Sequence, residues 1–189
     1  MPKMPKTESL AGTITRTFEV DASVDRIFEA FTKRKDLEMW MADRYEIEAK
    51  KGGKFKVGEE SDGYTITGEF LEFEPNSKLV YTWVMNDYDP KTKKLIPSWM
   101  QENPSKVTVR FEKKPRKGSR IVLIHEGFPG HDENFYGHEV GWDLLVGEVL
   151  KAYLEKSPEE YQAWWKEREP VWNDRWQELI RERMSSAAT

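Results

Sequence analysis

From Thr13 to Val20 the apolar residues Ile14, Phe18 and Val20 share one parity, interrupted only by Arg16, and this is the period of a half-buried strand. A helix is predicted directly after it, because Ser23 is a good N-cap and Val24, Ile27, Phe28 and Phe31 recur at helical spacing. Residues 33–40 read as a second short helix, with Leu37 and Trp40 pointing the same way. Six strand-like runs come next, over about residues 42–50, 54–59, 64–74, 78–88, 106–114 and 120–127. The joints Gly52-Gly53, Ser61-Asp62-Gly63, Pro75-Asn76-Ser77 and Arg116-Lys117-Gly118-Ser119 carry the residue types that antiparallel hairpins require. Leu79, Tyr81, Trp83 and Met85 alternate cleanly, as do Val107, Val109 and Phe111, and then Ile121, Leu123 and His125. One face of the predicted sheet is therefore apolar and aromatic, and something must cover it.

The predicted cover is a long helix from about Asp132 to Lys156, whose Tyr136, Val140, Trp142, Leu145, Val149, Tyr153 and Leu154 form a helical stripe. At ~1.5 Å per residue such a helix spans on the order of 35 Å, enough to cross a mid-sized sheet. Gly137, Gly141 and Gly147 inside it each cost roughly 1 kcal/mol relative to alanine. A close approach or an opening is expected there, with small residues facing the concave sheet and leaving room. A further helix starts at Ser157, since Ser157, Pro158 and Glu160 combine an N-cap, a first-turn proline and a capping-box acid, and Pro170 is expected to split or kink it. Trp164, Trp165, Trp172 and Trp176, with Tyr161, Leu179 and Ile180, place half of the chain's 8 tryptophans on this tail. Such a stripe belongs against its own domain, a second copy or a foreign partner rather than in water. The 189 residues thus divide into an N-terminal extension (1–12), one domain (13–156) and an aromatic helical tail (157–189).

A chain of this length buries about two thirds of its unfolded surface and needs no staple. The absence of cysteine removes disulfides and thiolate chemistry and permits a reducing compartment. Lys3 and Lys6 near the start are not followed by an apolar segment, and the longest purely aliphatic run is Ile121 to Ile124. No secretion signal or membrane span is expected, and the cytoplasm is the default location. A formal charge of −4 argues against nucleic acid, whose phosphates call for a basic face. The clusters Lys50, Lys51, Lys54, Lys56 and Lys113, Lys114, Arg116, Lys117, Arg120 flank turns and read as solvated hairpin ends.

One strand, two short helices, six antiparallel strands and a long helix together resemble the helix-grip fold of the START-like (SRPBCC) superfamily. Four stretches sharpen the likeness. They are Phe18-Glu19-Val20-Asp21-Ala22 into Val24 and Ile27 to Thr32, with Leu37 and Trp40; Gly68 to Pro75 followed by Leu79-Val80-Tyr81-Thr82-Trp83; Val107 to Phe111 followed by Leu123 to Phe128; and Gly141-Trp142 with Leu145 and Val149. Over about Thr13 to Leu154 they are similar to the family of activator of heat-shock protein 90 ATPase homologues, of the C-terminal-domain type. The resemblance implies an α+β fold in which a curved antiparallel sheet of about seven strands surrounds the long helix. It implies less about function, because this fold hosts lipid carriers, hormone receptors, aromatase/cyclases and co-chaperone domains. The eukaryotic co-chaperone has a separate N-terminal chaperone-binding domain, whereas here the first strand begins near Thr13, so a chaperone partner is not expected. The connection from Asp87 to Ser105 and the tail are additions to the plain domain.

The favoured reading is a binding module whose cavity, between sheet and long helix, takes an apolar or aromatic small molecule. Its expected lining is Trp40, Tyr64, Ile66, Tyr81, Trp83, Val109, His125, Phe128, Gly141, Trp142 and Leu145, unless these side chains pack together and fill the space. His125 shares the inward parity of Ile121 and Leu123; it is expected to anchor a ligand at the cavity mouth or to be a structural histidine bonded at a strand end. His131 and His138 have no nameable co-ligands, so neither metal nor cofactor is expected. Glu126 and Arg110 fall on the opposite parity and suit solvated cross-strand roles. Arg16 faces inward and calls for a carboxylate, Glu139 or Asp143, or for an anionic ligand. No Gly-rich phosphate loop, serine elbow or paired-carboxylate motif is present. Two alternatives stand beside the favoured reading: a cyclase- or dehydratase-like enzyme using His125 and a tyrosine, and a co-chaperone-like interaction module acting through the tail.

Overall fold

The alternating runs become strands β1 (Gly12–Val20), β2 (Tyr45–Ile47), β3 (Lys54–Val57), β4 (Tyr64–Glu74), β5 (Lys78–Asp87), β6 (Ser105–Lys113) and β7 (Ser119–Phe128) of a computed structural model that describes residues 12–187. They form one curved seven-stranded sheet in the order β1-β7-β6-β5-β4-β3-β2, antiparallel throughout. The N-terminal extension expected over residues 1–12 lies outside the described residues except for Gly12, which opens β1. Leu79, Val107, Val109, Ile121 and Leu123 are all at 0% exposure, so the alternating parity marks the face that is covered. The run expected over 42–50 is a strand only at Tyr45–Ile47. It is the sheet's edge, paired on one side alone, and a short edge strand offers few unpaired backbone groups to other chains.

Helices α1 (Val24–Thr32) and α2 (Arg34–Trp40) come after β1, and the Ser23 side chain caps α1 by accepting from the Arg26 N–H. The buried carboxylate of Asp36 ties these helices down: it accepts from Arg26 at 2.8 Å and from the Tyr153 hydroxyl at 2.5 Å. A charge that deep is tolerable because both partners are in place. In the connection between β5 and β6, α3 (Trp99–Glu102) carries a capping box and buries Met100.

The cover is α4 (Glu133–Leu144), capped by Asp132, continuing through a π-helical stretch (Leu145–Leu150) into α5 (Lys151–Glu155). Its buried side chains depart from the expected stripe. Tyr136, Val140, Trp142 and Val149 are buried as expected; Leu145, Tyr153 and Leu154 are half-buried, while Phe135, Leu144, Val146 and Leu150 are buried in addition. A π turn holds more residues than an α turn and so shifts the phase of the next helical turns, and α4 is also covered on a second side. That second cover is the tail: α6 (Pro158–Arg168), a 3₁₀ turn (Glu169–Val171) holding Pro170, and α7 (Trp172–Ala187), which packs along α4. Among the described residues no helix is long and apolar enough to cross a membrane.

Candidate functional site

Where the sheet's β3–β5 half, the α2 end, α4 and the tail meet, they leave a cavity of about 1210 Å³. Ligand pockets of small-molecule binders commonly run to roughly 300–1,000 Å³, so the space suffices for a multi-ring compound. Six of the chain's 8 tryptophans line it: Trp40, Trp83, Trp142, Trp165, Trp172 and Trp176. Val57, Ile66, Met85, Leu145 and Val149 add aliphatic wall, and Tyr64, His138 and Asn134 add polar atoms.

The inner indoles have spent their polar atoms. Trp40 donates to the Ala30 carbonyl at 2.9 Å, Trp83 donates to His138 Nε2 at 3.0 Å, and Trp142 donates to His125 Nδ1 at 3.1 Å. Each acceptor is itself fixed. Ser105 donates its hydroxyl to the Trp83 carbonyl at 2.9 Å, so its lone pair receives the Nε2–H of His125 at 2.8 Å. The Nδ1–H of His138 donates to the Asn134 carbonyl at 2.8 Å. Both imidazoles are therefore neutral, single tautomers with both nitrogens engaged. Burial, with His138 nearby, holds His125 well below the usual histidine range, and burial lowers His138 too. The consequence for the cavity is that its inner wall presents ring carbon, with Trp83 and Trp142 centred 5.3 Å apart.

The outer wall is the tail, and ion pairs hold it in place. Arg183 of α7 and Arg16 of β1 both reach Glu139 and Asp143, all four contacts at 2.7 Å, and Arg175 grips Glu148 with two bonds of 2.6 and 2.7 Å. The carboxylates expected for Arg16 are thus both present, shared with a second arginine that spacing in the chain does not reveal. The Tyr161 hydroxyl donates to the Met39 carbonyl, and its ring is buried. Of the helix glycines expected to make room for the sheet, Gly147 does so, a Cβ there meeting the Phe18 ring of β1 at 3.1 Å, whereas Gly141 makes room for the tail: a Cβ there would lie 2.8 Å from Trp176 Cζ2. Gly137, one turn earlier, faces Ile180 at 3.8 Å. Two glycines four apart on α4 meet two bulky residues four apart on α7, as ridge meets groove.

Of the eleven residues expected to line the site, Trp40, Tyr64, Ile66, Trp83, Gly141, Trp142 and Leu145 do face the cavity. Tyr81, Val109, His125 and Phe128 are not on its lining; they are buried in the core behind it. His125 in particular lies at 0% exposure and not at a mouth, held by Ser105 and Trp142. Tyr161, Trp165, Trp172 and Trp176 are walls of the site that the sequence reading did not include, because it took the tail as a surface to be covered by its own domain, a second copy or a partner and not as part of the cavity. The signal that could have found them was the Gly137/Gly141 pair, whose spacing invites a second helix. It also missed the carboxylates at the opening, Asp43, Asp87, Glu133 and Glu169.

The model of the family described as activator of Hsp90 ATPase homolog 1-like protein matches residues 21–155. No match is found among curated proteins. Among solved structures, the Aha1 dimer from Colwellia psychrerythraea is 17% identical with a TM-score of 0.62, covering 76% of this chain and 96% of that one. CalU16 from Micromonospora echinospora is 20% identical with a TM-score of 0.57, covering 89% and 88%. An HSP90 activator from Plasmodium falciparum is 25% identical with a TM-score of 0.50, covering 65% and 77%. The first two likenesses speak to the fold alone, while the family match takes in most of the sheet and the whole of its covering helix. The chain belongs to the activator of Hsp90 ATPase homolog 1-like family.

Proposed function

We propose that the chain is a binding module that takes up a flat, apolar or aromatic small molecule between the sheet, α4 and the tail. The observation that carries this reading is the cavity of about 1210 Å³ with six tryptophans around it. Apolar and aromatic walls are what small-molecule sites share, and flat indoles reward flat ligands. The enzyme alternative has less support. His125 has both nitrogens engaged out of reach of the cavity, and burial raises the hydroxyls of the two tyrosines that line it, Tyr64 and Tyr161, the latter to about 12, so none of the three is poised to move a proton at neutral pH.

The test is titration of the full chain with uncharged N-phenyl-1-naphthylamine, monitored by energy transfer from the indoles. Saturation at one probe per chain is expected. Trp172→Ala, at a half-buried tail position, should weaken binding about tenfold, the equivalent of losing roughly 1.4 kcal/mol of aromatic contact. Absence of saturable binding would remove the reading.

A further inference from the structure

We propose that the ligand of this cavity is a cation: a flat aromatic ring system carrying an amine or quaternary nitrogen. The proposal rests on the small-molecule reading above and names the chemical class within it. Its first support is the distribution of charge. Six carboxylates line the cavity, from Glu38, Asp43, Asp87, Asp132, Glu133 and Glu169, against the single ammonium of Lys166. The lining alone therefore holds five more acids than bases, whereas the whole chain holds only four more, 34 against 30. The rest of the molecule is nearly neutral, and the excess of acids lies on this lining, where all six but Glu38 are exposed to solvent.

The acids do not come from one run of sequence. They arrive from the end of α2, the end of β5, the start of α4 and the kink between α6 and α7, and the fold brings them together. Glu38 is paired with Arg34, and Asp132 caps α4 by accepting from the Phe135 N–H. Asp43, Asp87, Glu133 and Glu169 form no ion pair among the described residues, although the chain pairs many of its other surface charges. The N-terminus of α4 opposes this trend, since a helix start carries about half a positive charge. Asp132 and Glu133 stand on that very turn and outweigh it.

The walls suit the same ligand. Indole faces are the best aromatic partners for a cation, and here the inner N–H groups are already bonded away from the space. Carboxylates at an opening with low-dielectric walls behind them concentrate cations and repel anions.

Three flat probes separate this inference from the reading beneath it: neutral N-phenyl-1-naphthylamine, its anionic relative 8-anilinonaphthalene-1-sulfonate, and cationic proflavine, each titrated into the full chain. Proflavine should bind at least about tenfold more tightly than the sulfonate, weaken as salt is raised, and be displaced by the neutral probe, which marks the shared cavity. Asp43→Asn with Asp87→Asn should weaken proflavine about fivefold more than it weakens the neutral probe, whose retained saturation also reports a folded variant. Equal or tighter binding of the sulfonate, or proflavine that the neutral probe fails to displace, overturns the charge preference and leaves the cavity reading standing. If none of the three saturates, both fall.

Discussion

At the scale of the residue, the alternation in β7 placed His125 inward, and inward it lies. What alternation could not supply was its partners, Ser105 and Trp142, 20 and 17 positions away, which turn a candidate anchor into a satisfied core group. Burial of a neutral imidazole makes stability depend on pH. The folded-state pKa of His125 lies well below its ordinary value of about 6.5, so as pH falls through that value the unfolded chain takes up a proton that the folded chain refuses. The contribution is fully present above about pH 7 and is lost as pH drops toward the folded pKa. Acidification from pH 7.5 to 5.0 should therefore cost stability through this one group. Urea titrations at pH 7.5 and 5.0, for wild type and His125→Gln, check this. The variant should be less stable at pH 7.5, because Trp142 and Ser105 lose a partner, yet its further decline on acidification should be shallower. Parallel declines would show that His125 titrates normally. Arg16 tells a similar story: its parity called for a carboxylate, but Arg183, reaching the same two acids from α7, is a neighbour only in space.

At the scale of the element, the strands, short helices and capping boxes arise from local signals: Ser23 and Ser157 cap where N-caps were expected, and Pro170 breaks the tail. Local signals failed where an element has two neighbours. Regular 3.6-residue spacing along the long helix did not anticipate the π stretch at Leu145–Leu150 or the second face that the tail covers. The two α4 glycines give this a measurable form. Gly137→Ala adds a methyl at ordinary contact distance from Ile180 and gains helix propensity, so it should stabilise the fold by about 0.5–1 kcal/mol. Gly141→Ala gains the same propensity but puts its methyl 2.8 Å from Trp176, forcing the indole aside. It should come out at least about 1 kcal/mol less stable than Gly137→Ala in the same denaturant series. Equal stabilities would mean that α7 does not rest on this glycine.

At the scale of the whole molecule, the tail is both a cover and a wall. The sequence placed an aromatic stripe on it and called for burial; in the fold Tyr161 and Ile180 are buried, while Trp164, Trp165, Trp172 and Trp176 are half-buried, the last three around the cavity. Truncation after Lys156 should then lower the melting temperature by at least about 5 °C, the equivalent of some 2 kcal/mol for a chain of this size, and abolish binding of the neutral naphthylamine. A truncated chain that melts and binds like the full one would contradict both roles. Sequence by itself determined the seven strands, the covering helix and the family, because the parity of strands, the period of helices and the chemistry of caps and turns are properties of neighbours along the chain. The tertiary structure alone decided that Gly137 and Gly141 face the tail, that His125 is sealed behind two tryptophans, and that scattered carboxylates share one opening. Those facts depend on which distant side chains meet, and that is set only when the sheet curves, the helix crosses it and the tail folds back.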